Sequence, residues 1–169
     1  MITLVNGRGQ MGEKLKEYLL KSPINTEKET YIYHTWNVEN KSEEAQVEEF
    51  NKFKSFVDKN YKHKIVFVST SSEKDTAYVY YKQISEAYLI NKAECSIILR
   101  FPLLIGRRGT LSKLKNKEAN AFGLMELIPI NEAVEFIIDK INYSGSIKTF
   151  NISGEKIKAT TVEKLLNYE

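Results

Sequence analysis

A chain of 169 residues, 42% hydrophobic and 28% charged, is long enough to bury a core as one domain. Its net charge of +3 is too small to argue for nucleic acid, and its lysines mostly alternate with glutamates as on solvated helix faces. No apolar run approaches the roughly 18 residues of a membrane span, and the opening residues read as a strand, so neither a membrane segment nor a signal peptide is expected. The lone Cys95 leaves no internal disulfide and suits a reducing cytoplasm, while His34, His63 and Cys95 are too scattered for a metal site.

Ile2–Val5 reads as a short buried strand followed by a glycine-rich turn. Residues 10–21 have helical spacing, with Met11, Leu15, Tyr18 and Leu19 on one face, and Ser22-Pro23 breaks the helix. Thr30–His34 is a second strand rich in β-favouring residues. Ser42 resembles a helix cap, with Glu43 and Glu44 in the first turn where the helix dipole favours them. That helix runs to about Tyr61, turning Val47, Phe50, Phe53, Phe56 and Val57 inward. Strand three is Ile65–Val68, helix three about 76–91, and strand four Ser96–Arg100. Residues 102–122 read as a long basic loop, 131–142 as an amphipathic helix, 149–153 as a strand and 161–168 as a last short helix. Strands alternate with helices, so the expected fold is α/β, a parallel sheet with helices on both faces.

Gly7-Arg8-Gly9-Gln10-Met11-Gly12 is a G-x-G-x-x-G between a strand and a helix. Such a loop needs one glycine for the tight turn, one for backbone approach to a pyrophosphate and one for helix-on-strand packing. The helix N-terminus then offers N–H groups and positive dipole to phosphates. A glycine-rich turn with no ligand is the plainer alternative. Arg8 could add charge toward a phosphate, including the 2′-phosphate of NADP, or simply face solvent. An acidic residue is expected at the end of the second strand for the ribose of NAD; His34-Thr35-Trp36-Asn37 stands there instead.

Strand three ends in the hydroxyl cluster Ser69-Thr70-Ser71-Ser72, and Tyr78 and Lys82 follow one helical turn apart. An ammonium beside a phenol favours the phenolate, which lets a tyrosine exchange protons near neutral pH. The spacing also arises by chance in a chain with ten tyrosines, and Tyr88 with Lys92 repeats it. A surface lysine and a tyrosine packed on the sheet are the bland alternative. Trp36 could stack on a base or pack in the core.

With these residues in view, the chain resembles an extended short-chain dehydrogenase/reductase, the family of sugar-nucleotide epimerases, dehydratases and 4-keto reductases. Gly9-Gln10-Met11-Gly12 is similar to the G-Q-L-G of dTDP-dehydrorhamnose reductases, and Tyr78-x-x-x-Lys82-x-x-x-Glu86 to the family's Y-x-x-x-K helix. Ile98–Gly106 resembles its "LRP…YG" strand and loop, and residues 127–166 its ending, with Asn131-Glu132 where an Asp is usual. The resemblance implies a Rossmann-like fold of reduced strand number over residues 1–169, with 103–123 a basic loop and 124–169 a remnant of the substrate lobe.

It further implies that Tyr78 is the proton donor or acceptor, that Lys82 lowers its pKa and holds the nicotinamide ribose, and that Thr70 or Ser71 polarises the substrate oxygen. Gly7, Arg8, Gly9, Gln10, Met11, Gly12 and Ser69 would hold NAD or NADP. Arg107 and Arg108 would bind the diphosphate of a nucleotide sugar, unless they belong to a solvated basic loop. By analogy the protein is a homodimer through helices two and three, with Phe50, Phe53 and Tyr81 near the contact.

The chain departs from that pattern between strand one and the serine-bearing strand, where relatives have three strands and this sequence has room for one. The segment 30–36 then stands for the family's second strand or for its fourth, with a βαβ block lost. A right-handed crossover into the fourth strand's place would carry helix one to the other sheet face. Two functions stay open: an NAD(P)-dependent oxidoreductase or epimerase of nucleotide sugars, or a catalytically degenerate nucleotide-binding or scaffold protein that works through a partner.

Overall fold

The computed structural model describes residues 1–106, 114 and 123–166. The main layer is a five-stranded sheet in the order β1-β2-β3-β4-β7, parallel throughout. Its strands are β1 (Ile2–Val5), β2 (Thr30–Tyr33), β3 (Lys64–Thr70), β4 (Cys95–Phe101) and β7 (Ile147–Asn151). The connecting helices are α1 (Gly9–Lys21), α2 (Glu43–Asn60), α3 (Ala77–Lys92) and α4 (Ile130–Ile141). β3 and β4 are almost wholly buried, as a strand covered on both faces must be.

Alternation along the strands sorts the core into two layers. On one face Ile32, Val66, Val68, Ile97, Leu99 and Phe101 meet Met11 and Leu15 of α1 and Ala133, Val134, Ile137 and Ile141 of α4. On the other, Tyr33, Ile65, Phe67 and Ile98 meet Phe53 and Val57 of α2 and Leu89 of α3. The expected cap is in place, Ser42 Oγ accepting from the Ala45 N–H at 3.3 Å, and the structure adds a second, Thr76 Oγ1 accepting from the Val79 N–H at 3.3 Å.

β2 lies between β1 and β3, so it takes the place that the fourth strand holds in the doubly wound order 3-2-1-4-5-6. Among the described residues β1 is therefore an edge strand, and the order never reverses. Each step from β1 to β4 moves the same way across the sheet, yet α1 lies on one face and α2 and α3 on the other. The β1–α1–β2 crossover thus has the opposite hand to the two that follow. A right-handed α1 crossover would have joined α2 and α3 on their face; the packing of Met11 and Leu15 against α4 holds it on the other.

A second sheet, β5-β6-β8, gathers β5 (Leu103–Ile105), β6 (Leu124–Pro129) and β8 (Glu155–Lys158), and α5 (Ala159–Leu166) ends the described chain. The expected loop from residue 102 onward therefore opens with a strand. Leu103, Ile105, Leu114, Leu127, Ile157 and Val162 form a small core of their own there. Arg107 and Arg108 lie outside the described residues.

Candidate functional site

Because the five strands are parallel, the loops that follow β1, β2, β3 and β4 emerge at one end of the sheet. Val5, Tyr33, Phe67 and Ile98 stand in register across the four strands. The glycine loop, the segment from His34 and the hydroxyls after β3 consequently share one level.

The glycine loop meets the physical demands of a phosphate cradle. Asn6, Gly7 and Gly9 turn the chain with φ of 60°, 28° and 75°, conformations that favour glycine. A Cβ at Gly9 would meet nothing within 4 Å, so this backbone is open to approach. A Cβ at Gly12 would stand 2.6 Å from the Gly7 carbonyl carbon and 2.9 Å from His34 Cε1, so here α1 packs directly on the turn. Arg8 is the N-cap of α1, exposed, and gives no side-chain hydrogen bond to the first turn. Gln10 is half-buried near Gly106, while Met11 points down into the core.

The hydroxyl cluster divides. Ser69 is buried and its Oγ donates to Glu86 Oε1 at 2.5 Å. Glu86 in turn accepts from Arg100 Nε and Nη2, a bidentate pair that leaves the carboxylate fully engaged. Ser69 and Glu86 thus tie β3, α3 and β4 together. Thr70 Oγ1 accepts from the Ser72 N–H at 3.1 Å, and the Ser71 N–H donates to the Phe101 carbonyl at 2.9 Å. Thr70 and Ser71 are half-buried at the end of β3.

Tyr78 and Lys82 share a face of α3 but not a hydrogen bond. Burial pushes the Tyr78 phenol up to about 12. The Lys82 ammonium points elsewhere. Lys82 is 3% exposed, and its Nζ donates to the Val68 carbonyl at 2.8 Å. The same Nζ lies 4.4 Å from the centre of the Trp36 ring and 4.6 Å from that of Phe67. Among the described residues it has no carboxylate partner, and burial brings it down to about 7 against the pull of Glu86 and Glu49.

One residue of this region, Gln46, is missing from the sequence expectations, and the surroundings of another, His34, were not foreseen. Gln46 is fully buried: its Oε1 accepts from the Trp36 indole N–H at 2.7 Å, and its Nε2 donates to the Asn37 and Asn40 carbonyls at 2.9 and 2.7 Å. Its signal was a polar residue in line with Phe50, Phe53 and Val57 on the inner face of α2. His34, in place of the ribose-binding acid, is held neutral with a pKa of about 4 by burial and by nearby Lys82 and Lys16, and its Nε2 is buried without a partner. Among the described residues no cluster could hold a metal ion, and no helix is long and apolar enough to cross a membrane.

No protein-family model and no curated protein sequence matches the chain. Its fold does have solved counterparts. A dTDP-4-dehydrorhamnose reductase from Clostridium acetobutylicum superimposes with a TM-score of 0.77 at 13% identity, covering 98% of this chain and 80% of that one. UDP-N-acetylglucosamine 4-epimerase from Bacillus cereus gives 0.75 at 15% identity, covering 96% of this chain and 78% of the other. The Bordetella bronchiseptica enzyme WbmH, solved in complex with NAD+, gives 0.73 at 10% identity over 98% of this chain and 78% of its own. At such identities the likeness is one of architecture: the chain has the Rossmann-like α/β fold of these enzymes, shortened and with β1 at the margin of the sheet.

Proposed function

We propose that the chain is an NAD(P)-linked oxidoreductase or epimerase-type protein that acts on a nucleotide sugar. The observation that carries this reading is the glycine loop, open over Gly9 and closed under Gly12. Those residues fit the diphosphate of a dinucleotide: backbone N–H groups of Gly9, Gln10 and Met11 lie at the start of α1, and Arg8 is the N-cap residue before them. Lys82, as placed, does not fit its expected hold on a ribose, since its ammonium is turned to Val68. When bound, the cofactor supplies the hydride chemistry.

The chain's own residues in this reading orient and move protons. Thr70 and Ser71 donate to the substrate oxygen from the end of β3. Tyr78, at the start of α3, exchanges a proton with that oxygen. Arg107 and Arg108 supply counter-charge to the sugar's diphosphate. A homodimer through α2 and α3 and a cytoplasmic setting complete the proposal; Phe50 and Tyr81, with ring centres 6.2 Å apart, mark the seam between those helices.

A specific observation favours a second reading, a nucleotide-binding or scaffold protein without turnover: Lys82 is committed to Val68 and Trp36, and Tyr78 is left with a high pKa. Calorimetric titration with NAD, NADH, NADP and NADPH tests the common ground, and micromolar binding of at least one is expected. Tyr78→Phe then separates the two. As an acid–base group, its loss should cut turnover with UDP- or dTDP-sugars by at least about 100-fold with little change in Tm. Binding without turnover in the unaltered protein would favour the second reading, and no binding by any dinucleotide would reject the first.

A further inference from the structure

Lys82 is a buried ammonium with no carboxylate partner among the described residues, roofed by an aromatic ring. The roof is Trp36, which lies not on a regular element but on the connection between β2 and α2. Its indole is anchored by one side chain, Gln46, whose amide also holds the carbonyls of Asn37 and Asn40. Asn37 is tied to α2 a second time, its N–H donating to Glu49 Oε2 at 3.2 Å. Trp36 also rests against Phe67 and Phe53, with ring centres 6.0 and 6.3 Å away.

We infer that Trp36 is a positioning residue: with Gln46 it clasps the Lys82 ammonium against the Val68 carbonyl, and a ligand at the strand ends must open that clasp before Lys82 can serve Tyr78. This rests on the acid–base reading above. The placement supports it from three sides. Tyr33 and Phe67 pair across neighbouring strands, and His34 and Val68 follow them directly, so the connection bearing Trp36 leaves β2 near the carbonyl that Lys82 grips. Trp36 is half-buried, so a planar base or nicotinamide entering from the glycine loop can compete for its face. An ammonium has three donor hydrogens, and among the described residues only the Val68 carbonyl accepts from this one, two ring faces lying close by.

The titratable groups facing Lys82 are Glu86 on its own helix, Glu49 from α2 and His34 just after β2. Glu86 is already held by Arg100 and Ser69, Glu49 by the Asn37 N–H and Lys52, and His34 is neutral near physiological pH, so none of them supplies the missing partner.

Trp36 is the sole tryptophan, which makes the test direct. Its fluorescence should change in one step near pH 7 as Lys82 titrates beneath the ring, and Lys82→Met should erase the step. A flat profile in the unaltered protein, or a step that survives Lys82→Met, overturns the clasp. Trp36→Leu should bring the Tyr78 ionisation down by about 1 pH unit or more, read as ultraviolet phenolate absorbance against the same background carrying Tyr78→Phe. Trp36→Phe, which keeps a ring over the ammonium, should leave it in place; equal midpoints in Trp36→Leu and the unaltered protein reject the inference.

Should Trp36→Leu fail to fold, Gln46→Leu keeps the tryptophan and should still lower the Tyr78 midpoint. Finally, whichever of NAD and NADP binds by calorimetry should move the fluorescence step to higher pH. Binding that leaves the step unmoved overturns the clasp alone. Absence of binding overturns the acid–base reading and the opening of the clasp with it.

Discussion

At the scale of single residues, Gly12 and Gly9 make opposite demands on the same loop. A side chain at Gly12 would enter the Gly7 carbonyl and the His34 ring, so Gly12→Ala must push α1 away from the turn. The expected cost is about 1–3 kcal/mol, with loss of dinucleotide affinity, measured by denaturant melting and calorimetry. Unchanged stability would show that α1 does not rest on the loop. The glycine pattern was legible because its chemistry is set by backbone geometry, which sequence spacing reports directly. The Tyr78–Lys82 spacing was equally legible, but the destination of the ammonium was not. Spacing puts both on one helix face; it does not say that Val68 and Trp36 will capture the lysine first. Gln46 was lost for a related reason, as one polar residue within an apolar stripe reads as noise until a partner such as Trp36 is known.

Among the elements, α2 shows how periodicity becomes packing. Phe53 is fully buried between Tyr33 and Phe67, with ring centres 4.9 and 4.4 Å away, and it joins α2 to both strands. Phe53→Ala should cost about 3–5 kcal/mol, seen as an earlier chemical denaturation midpoint. A change below about 1 kcal/mol would mean that α2 is not seated through this ring. The long helices and the buried strands of the main sheet were readable because their apolar residues recur at helical or continuous spacing. β5, β6 and β8 were not. Three residues after a proline, a strand interrupted by Glu126 and ending in Pro129, and the alternation Glu-Lys-Ile-Lys all carry too little apolar signal. Their pairing comes instead from the small core around Leu127 and Val162.

For the molecule as a whole, buried titratable groups set a characteristic dependence of stability on pH. His34 falls to about 4 in the fold from an ordinary 6.5, so the unfolded chain binds the extra proton between those values and stability should rise with pH across that window. Lys82 falls to about 7 from 10.5, giving a second rise above pH 7 that ends near 10.5. Tyr33 and Tyr78 rise from 10.0 to about 12, so stability should be lost again as pH climbs through that range. Scanning calorimetry should find Lys82→Met more stable than the unaltered protein at pH 6, with the advantage shrinking toward pH 10. A constant difference would mean that Lys82 is not buried as charge. The strand order belongs to this scale and lay beyond the sequence, which could be read with Thr30–His34 in either of two places. Handedness alone argued for α1 on the far face, and only the packing of Met11 and Leu15 with α4 decided otherwise.

Placing β1 at the margin has a consequence for how a ligand on the glycine turn would be released. Among the described residues that turn hangs from a strand paired on one side only, while β3 at the centre is braced on both. Opening of such a rim is a partial, low-energy excursion that leaves the middle of the sheet intact. The glycine turn thus belongs to a smaller cooperative unit than the core does. A bound nucleotide would act as the missing brace, so ligand release and fraying of the amino-terminal rim become two views of one equilibrium.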